Sequence, residues 1–254
     1  TNTQPIEIKK DALTPKIEFQ NVSFAYNDGA KYAIKNLNLK IMPGQTIGII
    51  GGTGSGKSSI VNLIPRFYDA SQGSVFVDGV NVNNYSFHQL RSKIGLVPQK
   101  AVLFKGSLKD NLRWRKQDAT MEEIVKAVKI SQSEEFVNEL DGKYEYKVQS
   151  GGKNFSGGQR QRLTIARALV GDPEIVIMDD SASALDFATD AALRKAIKNN
   201  IKSTVILVSQ RAGTVRNADQ IVVLDGGNVV GIGKHAELLK TCPVYKEIYE
   251  SQTK

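Results

Sequence analysis

The chain has 254 residues, of which 41% are hydrophobic and 24% charged, an ordinary globular composition. Its 34 lysines and arginines exceed its 26 aspartates and glutamates, which gives a net charge of +8. Such a surplus can indicate a nucleic acid, an anionic membrane face or an anionic ligand, or only a solvated surface. No basic run is interleaved with aromatic residues, so we expect no nucleic-acid partner. No apolar run approaches the roughly 20 residues needed to cross a bilayer. The single cysteine, Cys242, excludes an internal disulfide and fits a reducing cytosol.

The first third of the chain reads as a polar segment followed by strands. Residues 1–15 contain two prolines and predict a linker. Apolar and polar residues alternate over 16–26, which predicts a half-buried strand, and a second predicted strand over 33–41 ends at the turn signal Pro43-Gly44. The continuous β-branched run over 46–50 is typical of a strand that is buried on both faces of a parallel sheet.

Helical and mixed patterns occupy the rest of the chain. A predicted helix begins near Lys57 and stops before Pro65, and residues 99–156 are charged and helix-rich, most clearly over 121–140. Further predicted elements are helices over 157–170 and 187–199, strands over 174–178, 204–208, 220–224 and 228–232, and two terminal helices that are separated at Pro243. This order predicts a mixed α/β core with a helical lobe inserted between its two halves.

Residues 51–58 read GGTGSGKS and match the P-loop pattern G-x-x-x-x-G-K-[ST] between a predicted strand and a predicted helix. Glycines let backbone amides turn toward phosphate oxygens, and the start of the helix adds partial positive charge. Lys57 is predicted to reach the β- and γ-phosphates of a nucleotide, and Ser58 to ligate Mg²⁺. The predicted nucleotide-binding residues of this segment are Gly52, Thr53, Gly54, Ser55, Gly56, Lys57, Ser58 and Ser59.

A P-loop needs a second magnesium ligand at the end of a buried strand. The apolar run over 174–178 is followed by Asp179, which we predict to be that carboxylate. Alone the pattern would say little, since many strands end in aspartate. Together with the P-loop it predicts a Mg-nucleotide site.

Residues 155–159 read FSGGQ and lie at the start of a predicted helix. A serine and two glycines in this position form a second anion-binding helix terminus. Ser156 lies 99 residues beyond Lys57 (156 − 57). The chain therefore has two predicted anion-binding helix ends, one more than a single nucleotide needs. The segment resembles the LSGGQ signature of the ATP-binding cassettes of ABC transporters, with phenylalanine in the leucine position.

The resemblance spans about residues 17–252 and implies fold, cofactors and partners. It implies an α/β fold, with a P-loop NTPase (RecA-like) core, an antiparallel β subdomain and a helical subdomain inserted at about 100–156. Residues 16–254 would form the nucleotide-binding domain, and residues 1–15 a linker from a preceding transmembrane domain. ATP and Mg²⁺ are the implied cofactors, and a second cassette and a transmembrane domain are the implied partners, at the cytoplasmic face of the membrane. In this family Ser156, Gly157, Gly158 and Gln159 would close over the ATP that is held on the partner cassette.

Other segments match the family in register. Tyr26 matches the aromatic residue that stacks on adenine, a contact of about 1–3 kcal/mol by analogy with base stacking. Gln99 matches the Q-loop glutamine that touches magnesium, and residues 183–186 match the D-loop. Three further phrases resemble the exporter branch of the family, at residues 66–69, 103–107 and 233–238.

Three positions depart from the family pattern. Asp180 stands where a glutamate polarises the attacking water, which withdraws the carboxylate by about 1.5 Å. Gln210 stands where a switch histidine is expected, and glutamine can donate a hydrogen bond but cannot carry a proton charge. Ser150 replaces the acidic residue that exporters usually place before the signature. By this resemblance, the expected catalytic residues are Asp180, Gln210 and Gln99. The expected metal ligands are Ser58, Gln99 and Asp179.

These departures favour the degenerate half of a heterodimeric exporter, which hydrolyses its own ATP slowly and lends its signature to the partner's site. A symmetric homodimeric exporter with reduced activity is the alternative. Two rivals fit less well. A nucleic-acid ATPase would need a long coiled coil between P-loop and signature in the chromosome-structuring members, or two cassettes in one chain in the translation-factor members, and an importer subunit would lack the linker and the exporter-like phrases. A third rival, a nucleotide sensor that never hydrolyses ATP, is distinguished by measuring turnover in the partner's presence.

Overall fold

The computed structural model describes residues 6, 13–181 and 184–253. The chain forms two compact units, one made of residues 1–91 and 204–254 and the other of residues 92–203. Eleven of the fifteen residues of the expected linker, 1–5 and 7–12, lie outside the described residues. The predicted division into a linker and a nucleotide-binding domain stays a prediction.

The N-terminal part of the first unit alternates strands and short helices. In chain order its elements are β1 (Ile17–Phe24), β2 (Ile34–Ile41), β3 (Thr46–Gly51), α1 (Lys57–Leu63), β4 (Gln72–Val77), β5 (Val80–Asn81) and α2 (Phe87–Ser92), the last of which ends at the boundary between the units. β2, β1, β4 and β5 form an antiparallel sheet in that order. The strand predicted over 16–26 is confirmed as β1, and its four apolar residues Ile17, Phe19, Val22 and Phe24 are all buried. The predicted alternation is interrupted by a register shift between Phe19 and Val22, which explains the three-residue step between them.

The second unit has two parallel strands, β6 and β9, and the two longest described helices, α6 and α7. Its elements are β6 (Ile94–Val97), β7 (Gly106–Ser107), α3 (Leu108–Leu112), α4 (Met121–Ile130), α5 (Glu134–Glu139), β8 (Lys147–Val148), α6 (Gly157–Leu169), β9 (Ile175–Asp179) and α7 (Phe187–Asn200). α6 packs against β6, α3 and α4. The helical pattern over 121–140 resolves into two helices, because Gln132 takes a left-handed φ of 60° and the buried hydroxyls of Ser131 and Ser133 bond each other at 2.8 Å.

The chain then returns to the first unit through β10 (Thr204–Ser209), α8 (Ala212–Val215), β11 (Gln220–Asp225), β12 (Asn228–Gly233), α9 (His235–Thr241) and α10 (Pro243–Thr253). β3 pairs in parallel with β10 on one side and β11 on the other, and β12 pairs antiparallel with β11. All six residues of β10 are buried, and β3 is buried except at its first residue, as the continuous apolar runs predict. The predicted break between the terminal helices at Pro243 is confirmed.

The predicted α/β fold class is confirmed by these mixed sheets and helices. In the part of the chain that the structure describes, no helix combines the length and the apolar character needed to cross a membrane. The longest described helix, α7, has 14 residues. Five described strands escaped the sequence pattern. β5, β7 and β8 have only two residues each, β4 begins with Gln72-Gly73-Ser74, and β6 has only four residues, so none of them produces a recognisable apolar run.

The antiparallel sheet contains a buried ion pair whose contribution to stability can be measured. The Nζ atom of Lys16 lies 2.7 Å from a carboxylate oxygen of Asp78, and these side chains are 7% and 6% exposed. We expect Asp78→Asn to lower the free energy of unfolding by about 3 kcal/mol, because it removes the charge of one partner of a buried, hydrogen-bonded ion pair. Asparagine tolerates the φ of 50° at this position, so backbone strain adds little. Urea unfolding monitored by circular dichroism gives the value.

The matched control is Glu18→Gln in β1, two residues after Lys16. Glu18 pairs with Lys40 at 3.2 Å, and Lys40 is 68% exposed, so this change should cost no more than about 1 kcal/mol. An equal decrease in the free energy of unfolding in the two variants would show that the buried pair stabilises the fold no more than the exposed pair does.

Candidate nucleotide-binding site

The predicted P-loop lies between β3 and α1 and follows a path that only glycine permits at two points. Gly56 has a φ of 101°, and a Cβ atom there would lie 2.4 Å from the carbonyl oxygen of Ala33. A Cβ atom on Gly51 would lie 2.4 Å from the carbonyl oxygen of Leu224. Contacts this short do not occur, so the loop can pass these neighbours only without side chains. Residues 52–54 are exposed and leave the tip of the loop open to a ligand.

Lys57 is buried at the start of α1 and its ammonium lies over the loop. Its Nζ atom donates hydrogen bonds to the carbonyl oxygens of Gly51 (2.9 Å) and Gly52 (2.7 Å). These two bonds hold the ammonium at the loop and offset part of the cost of burying a cation. A cation in this position can form a charge-assisted hydrogen bond to an anionic ligand at the loop.

The hydroxyl of Ser55 is a second sign that the loop receives a polar group. Its Oγ atom is buried and has no hydrogen-bond partner within the described ranges. A buried hydroxyl in this state costs about 1–3 kcal/mol relative to a paired one. A phosphate oxygen is the kind of acceptor that such a donor fits.

Tyr26 follows β1 and is tied to α1. Its hydroxyl lies 2.8 Å from the Oγ atom of Ser59, which is buried two residues after Lys57. Its ring is 50% exposed and meets Tyr68 edge-on at a centroid distance of 5.2 Å. The structure thus places an accessible aromatic ring beside the P-loop helix, where a base could stack on it.

The sequence did not single out Tyr68 or Phe24 as neighbours of this ring, although Phe24 meets Tyr26 at 4.8 Å. The aromatic residues within 66–69 are visible in the sequence, but no local pattern there shows that this segment packs beside the end of β1.

Gln210 lies next to the P-loop through strand register. β10 pairs in parallel with β3 so that Ser209 stands opposite Ile50, and the next residues are Gln210 and Gly51. Gln210 is exposed, and its backbone carbonyl accepts a hydrogen bond from the side-chain amide of Gln252 at 2.8 Å. The strand order therefore brings this predicted residue to the edge of the sheet that carries the phosphate-binding loop.

A second group of predicted residues meets in the same way within the second unit. β6 and β9 are parallel, with Val97 opposite Met178, so Asp179, the last residue of β9, and Gln99, two residues after β6, both lie at the carboxyl ends of these strands. Asp179 is buried, whereas Gln99 is exposed. Asp180 follows at a φ of 46°, in the left-handed region that aspartate tolerates better than most residues. Strained backbone of this kind is common at functional sites.

The predicted magnesium ligands have the right chemistry for that ion. Ser58, Gln99 and Asp179 supply a hydroxyl, an amide oxygen and one carboxylate, which are hard oxygen donors. Mg²⁺ commonly takes one or two carboxylates and completes its shell with water and substrate phosphates. In the described residues no group of three or more His, Cys, Asp or Glu side chains is arranged to hold a metal ion.

The signature segment opens α6 and is pre-arranged by its own side chains. The Oγ atom of Ser156 accepts a hydrogen bond from the backbone N–H of Gln159 (3.2 Å), and the Gln159 side chain accepts one from the N–H of Ser156 (2.9 Å). This reciprocal capping box fixes the first turn of the 13-residue helix. Arg160 braces the preceding residue, because its Nη1 atom donates to the carbonyl oxygen of Phe155 at 2.6 Å.

Ser156 and Gly157 are exposed, so the turn that carries the first free N–H groups of α6 is accessible to an anion. The predicted D-loop, residues 183–186, is only partly described: Ser183 lies outside the described residues. Asp186 caps α7 by accepting a hydrogen bond from the backbone N–H of Thr189 (2.9 Å), and its carboxyl accepts a second one from the Thr189 hydroxyl. These two bonds hold the pKa of the Asp186 carboxyl below its usual value.

Known proteins resemble this chain over nearly its whole length. It is 42% identical over 242 residues to the uncharacterized ABC transporter ATP-binding protein YfiB of Bacillus subtilis (strain 168), which covers 95% of this chain and 42% of that protein. It is 39% identical over 250 residues to a Staphylococcus aureus (strain NCTC 8325 / PS 47) protein named "Putative multidrug export ATP-binding/permease protein", which covers 98% of this chain and 43% of the relative.

A solved structure of a bacterial Atm1-family ABC exporter with ATP bound superposes with a TM-score of 0.91 at 30% identity, and covers 100% of this chain and 44% of that one. The chain thus spans less than half the length of the proteins described here.

The family assignment rests on a match that contains both segments predicted to bind phosphate. The sequence profile described as "ABC transporter" matches residues 34–183, more than half of the 254 residues. This range includes the P-loop at 51–58, the signature at 155–159 and Asp179. The chain therefore belongs to the ABC transporter family and has the P-loop NTPase fold of its ATP-binding domain.

Proposed function

We propose that this chain is the ATP-binding and ATP-hydrolysing domain of an ABC exporter, and that it powers transport through ATP-driven dimerisation with a second cassette. The observation that carries the proposal is the buried ammonium of Lys57 over a loop whose path requires glycine at Gly51 and Gly56. The similarity to a protein named for multidrug export and to an Atm1-family exporter supports the exporter branch. A transmembrane domain would hold the chain at the cytoplasmic face of the membrane.

In the proposed pose, ATP lies along the P-loop with its base on Tyr26. Gly52 to Gly56 cradle the phosphates, Lys57 binds the β- and γ-phosphates, and Ser58, Gln99 and Asp179 hold Mg²⁺. When bound, Mg²⁺ would neutralise charge that develops on the phosphates.

The chain's own site is proposed to hydrolyse ATP slowly. The shorter side chain of Asp180 withdraws the carboxylate by about 1.5 Å from the place that glutamate would reach. Misplacement on this scale can cost about a hundredfold, and a positioned general base is worth roughly 10²–10⁴ in rate. Gln210 retains a hydrogen-bond donor toward the γ-phosphate but not the charge of a histidine.

The signature is proposed to serve the partner's nucleotide in a head-to-tail dimer. This proposal is supported by a contrast between two parts of the chain. Asp180 and Gln210 differ from the family pattern, whereas the turn at Ser156 to Gln159 matches it and is held by its own capping box. Such a signature can complete the ATP site of a partner cassette that supplies the glutamate and the histidine, and this favours a heterodimer. A symmetric homodimer with reduced activity is the second candidate, since Asp180 keeps a carboxylate and Gln210 keeps a donor.

The first test is nucleotide binding by the chain alone. Lys57→Ala should abolish Mg-ATP binding because it removes the buried cation. Tyr26→Ala should weaken binding by about 1–3 kcal/mol, the range for stacking of a base on an aromatic ring. Tyr26→Phe keeps the ring and loses only the Ser59 contact, so it should cost less. Equilibrium titration with a fluorescent ATP analogue measures all three.

Tyr32→Ala is the control for these variants. Tyr32 is another partly exposed tyrosine of the same unit, and its hydroxyl accepts a hydrogen bond from Gln72. Unchanged affinity in both Lys57→Ala and Tyr26→Ala would rule out the proposed pose.

The second test concerns assembly. With ATP present, analytical ultracentrifugation should find the chain monomeric or weakly self-associating, because its own composite sites lack the glutamate and the histidine. It should pair more tightly with a cassette that has both residues at the equivalent positions. A tight homodimer with ordinary turnover would favour the symmetric candidate instead.

The third test separates the two composite sites in the heterodimer. Ser156→Arg should nearly silence steady-state ATPase activity, since a bulky cation would block the turn that completes the partner's site. Lys57→Ala should cost less, because it removes an ATP that acts mainly as a clamp. Asp180→Glu combined with Gln210→His should raise turnover, since the reach of the carboxylate and the histidine contact are both recovered.

Ser156→Ala is the control for bulk. It removes only the capping hydrogen bond, worth about 0.5–2 kcal/mol of helix stability. If Lys57→Ala silenced the heterodimer while Ser156→Arg left it unchanged, the asymmetric assignment would be wrong.

A further inference from the structure

The backbone around Gln210 is held by a side chain from the far end of the chain. The side-chain amide of Gln252 donates from its Nε2 atom to the carbonyl oxygen of Gln210 at 2.8 Å. Its Oε1 atom accepts the backbone N–H of Ala212, also at 2.8 Å. One amide group therefore bridges two backbone positions, 42 and 40 residues away in sequence.

This bridge constrains the part of the backbone that decides where Gln210 points. The bonded carbonyl belongs to the peptide between residues 210 and 211, and the bonded N–H to the peptide between 211 and 212. Fixing both peptide planes leaves little freedom at Arg211. The N–H of Arg211 is itself bonded to the Oγ atom of Ser209 at 3.0 Å, so three successive backbone groups after β10 are held.

The bridging residue lies on an element that is anchored elsewhere. Gln252 is exposed and lies one residue before the end of α10. α10 packs against α8, α9 and β11, with Tyr245 fully buried near its start. Terminal helical turns fray unless they are tied down, and the two bonds of Gln252 tie this one to the segment after β10.

We propose that Gln252 is a positioning residue for Gln210, so that the end of the C-terminal helix determines how well this chain distinguishes ATP from ADP. The inference rests on the proposed function, in which the Gln210 side chain contacts the γ-phosphate. Gln252 touches no part of the nucleotide in this scheme. It acts by holding the Gln210 backbone in the orientation that aims the side chain at the γ-phosphate.

The test is the ratio of ATP to ADP affinity, measured by isothermal titration of the 254-residue chain with Mg²⁺ present. Gln252→Ala should reduce the preference for ATP by about 3- to 10-fold, since a hydrogen bond to a charged group is weakened rather than simply deleted. ADP affinity should change little, because ADP has no γ-phosphate. A role confined to stability would not single out ATP.

Two further variants separate reach from polarity. Gln252→Asn keeps the amide but is shorter by one methylene, about 1.5 Å, and cannot span both backbone groups. Gln252→Glu keeps an acceptor for the Ala212 N–H but places a carboxylate oxygen against the Gln210 carbonyl. Both should reduce the preference for ATP to a similar degree as Gln252→Ala. The control is Ser251→Ala, because the Ser251 hydroxyl bonds only the Ile248 carbonyl of its own helix at 2.8 Å, and this variant should keep the parent ratio.

Hydrogen exchange gives a readout that does not depend on the nucleotide. In Gln252→Ala, amides of residues 210–216 should exchange about 3- to 10-fold faster than in the parent chain and in Ser251→Ala. Unchanged exchange would overturn the proposed bridge.

Gln210→Ala distinguishes failure of the inference from failure of the proposed function. If Gln210→Ala lowers the preference for ATP and Gln252→Ala does not, Gln252 is not a positioning residue although the role of Gln210 stands. If Gln210→Ala leaves the preference unchanged, the γ-phosphate contact and the inference that depends on it both fail.

Discussion

The conformation of the loop between β3 and α1 is the constraint on which the rest of the site depends. Strand β3 is paired with β10 on one side and β11 on the other, so the loop that follows it runs close to neighbouring backbone atoms. At Gly51 and Gly56 a side chain would collide with the carbonyl oxygens of Leu224 and Ala33. Because the loop must take this path, the ammonium of Lys57 is buried against loop carbonyls rather than extended into water, and α1 starts where Ser59 can hold Tyr26.

Parallel strand pairing explains how residues far apart in sequence gather at a few edges. The carboxyl ends of β3 and β10 place Gly51 and Gln210 side by side, and those of β6 and β9 bring Gln99 and Asp179 to one edge. In open α/β sheets ligands bind at such edges because loops there are free to carry polar side chains while the strands remain apolar. The buried strands provide rigidity, and the residues just beyond them provide the chemistry.

Binding and hydrolysis place different demands on this chain. Binding depends on a loop path, a buried cation and an aromatic ring, all of which are present. In the proposed scheme, hydrolysis demands placement within about an ångström, and Asp180 and Gln210 would keep polarity but change reach or charge at that step. The capping box is formed by Ser156 and Gln159 themselves, so the geometry of this turn does not depend on Asp180 or Gln210.

The sequence by itself determined the elements that have a local signature. The P-loop, the signature turn, the buried runs of β3, β9 and β10, and the helix break at Pro243 each follow from residue types within a few positions of one another. Strands β4 and β6 needed the tertiary structure, because Gln72 and its neighbours are polar or small and β6 is short; only pairing with a neighbouring strand makes them strands.

The supporting contacts of the candidate site were likewise decided by tertiary structure. The Tyr26–Ser59 contact joins residues 33 apart, and the Gln252–Gln210 bond joins residues 42 apart. Each uses a common polar side chain with no distinctive spacing, so neither leaves a pattern in the sequence. The physical reason is that a hydrogen bond needs two atoms within about 3 Å, and that proximity is created by packing of the sheets and helices rather than by the local chain.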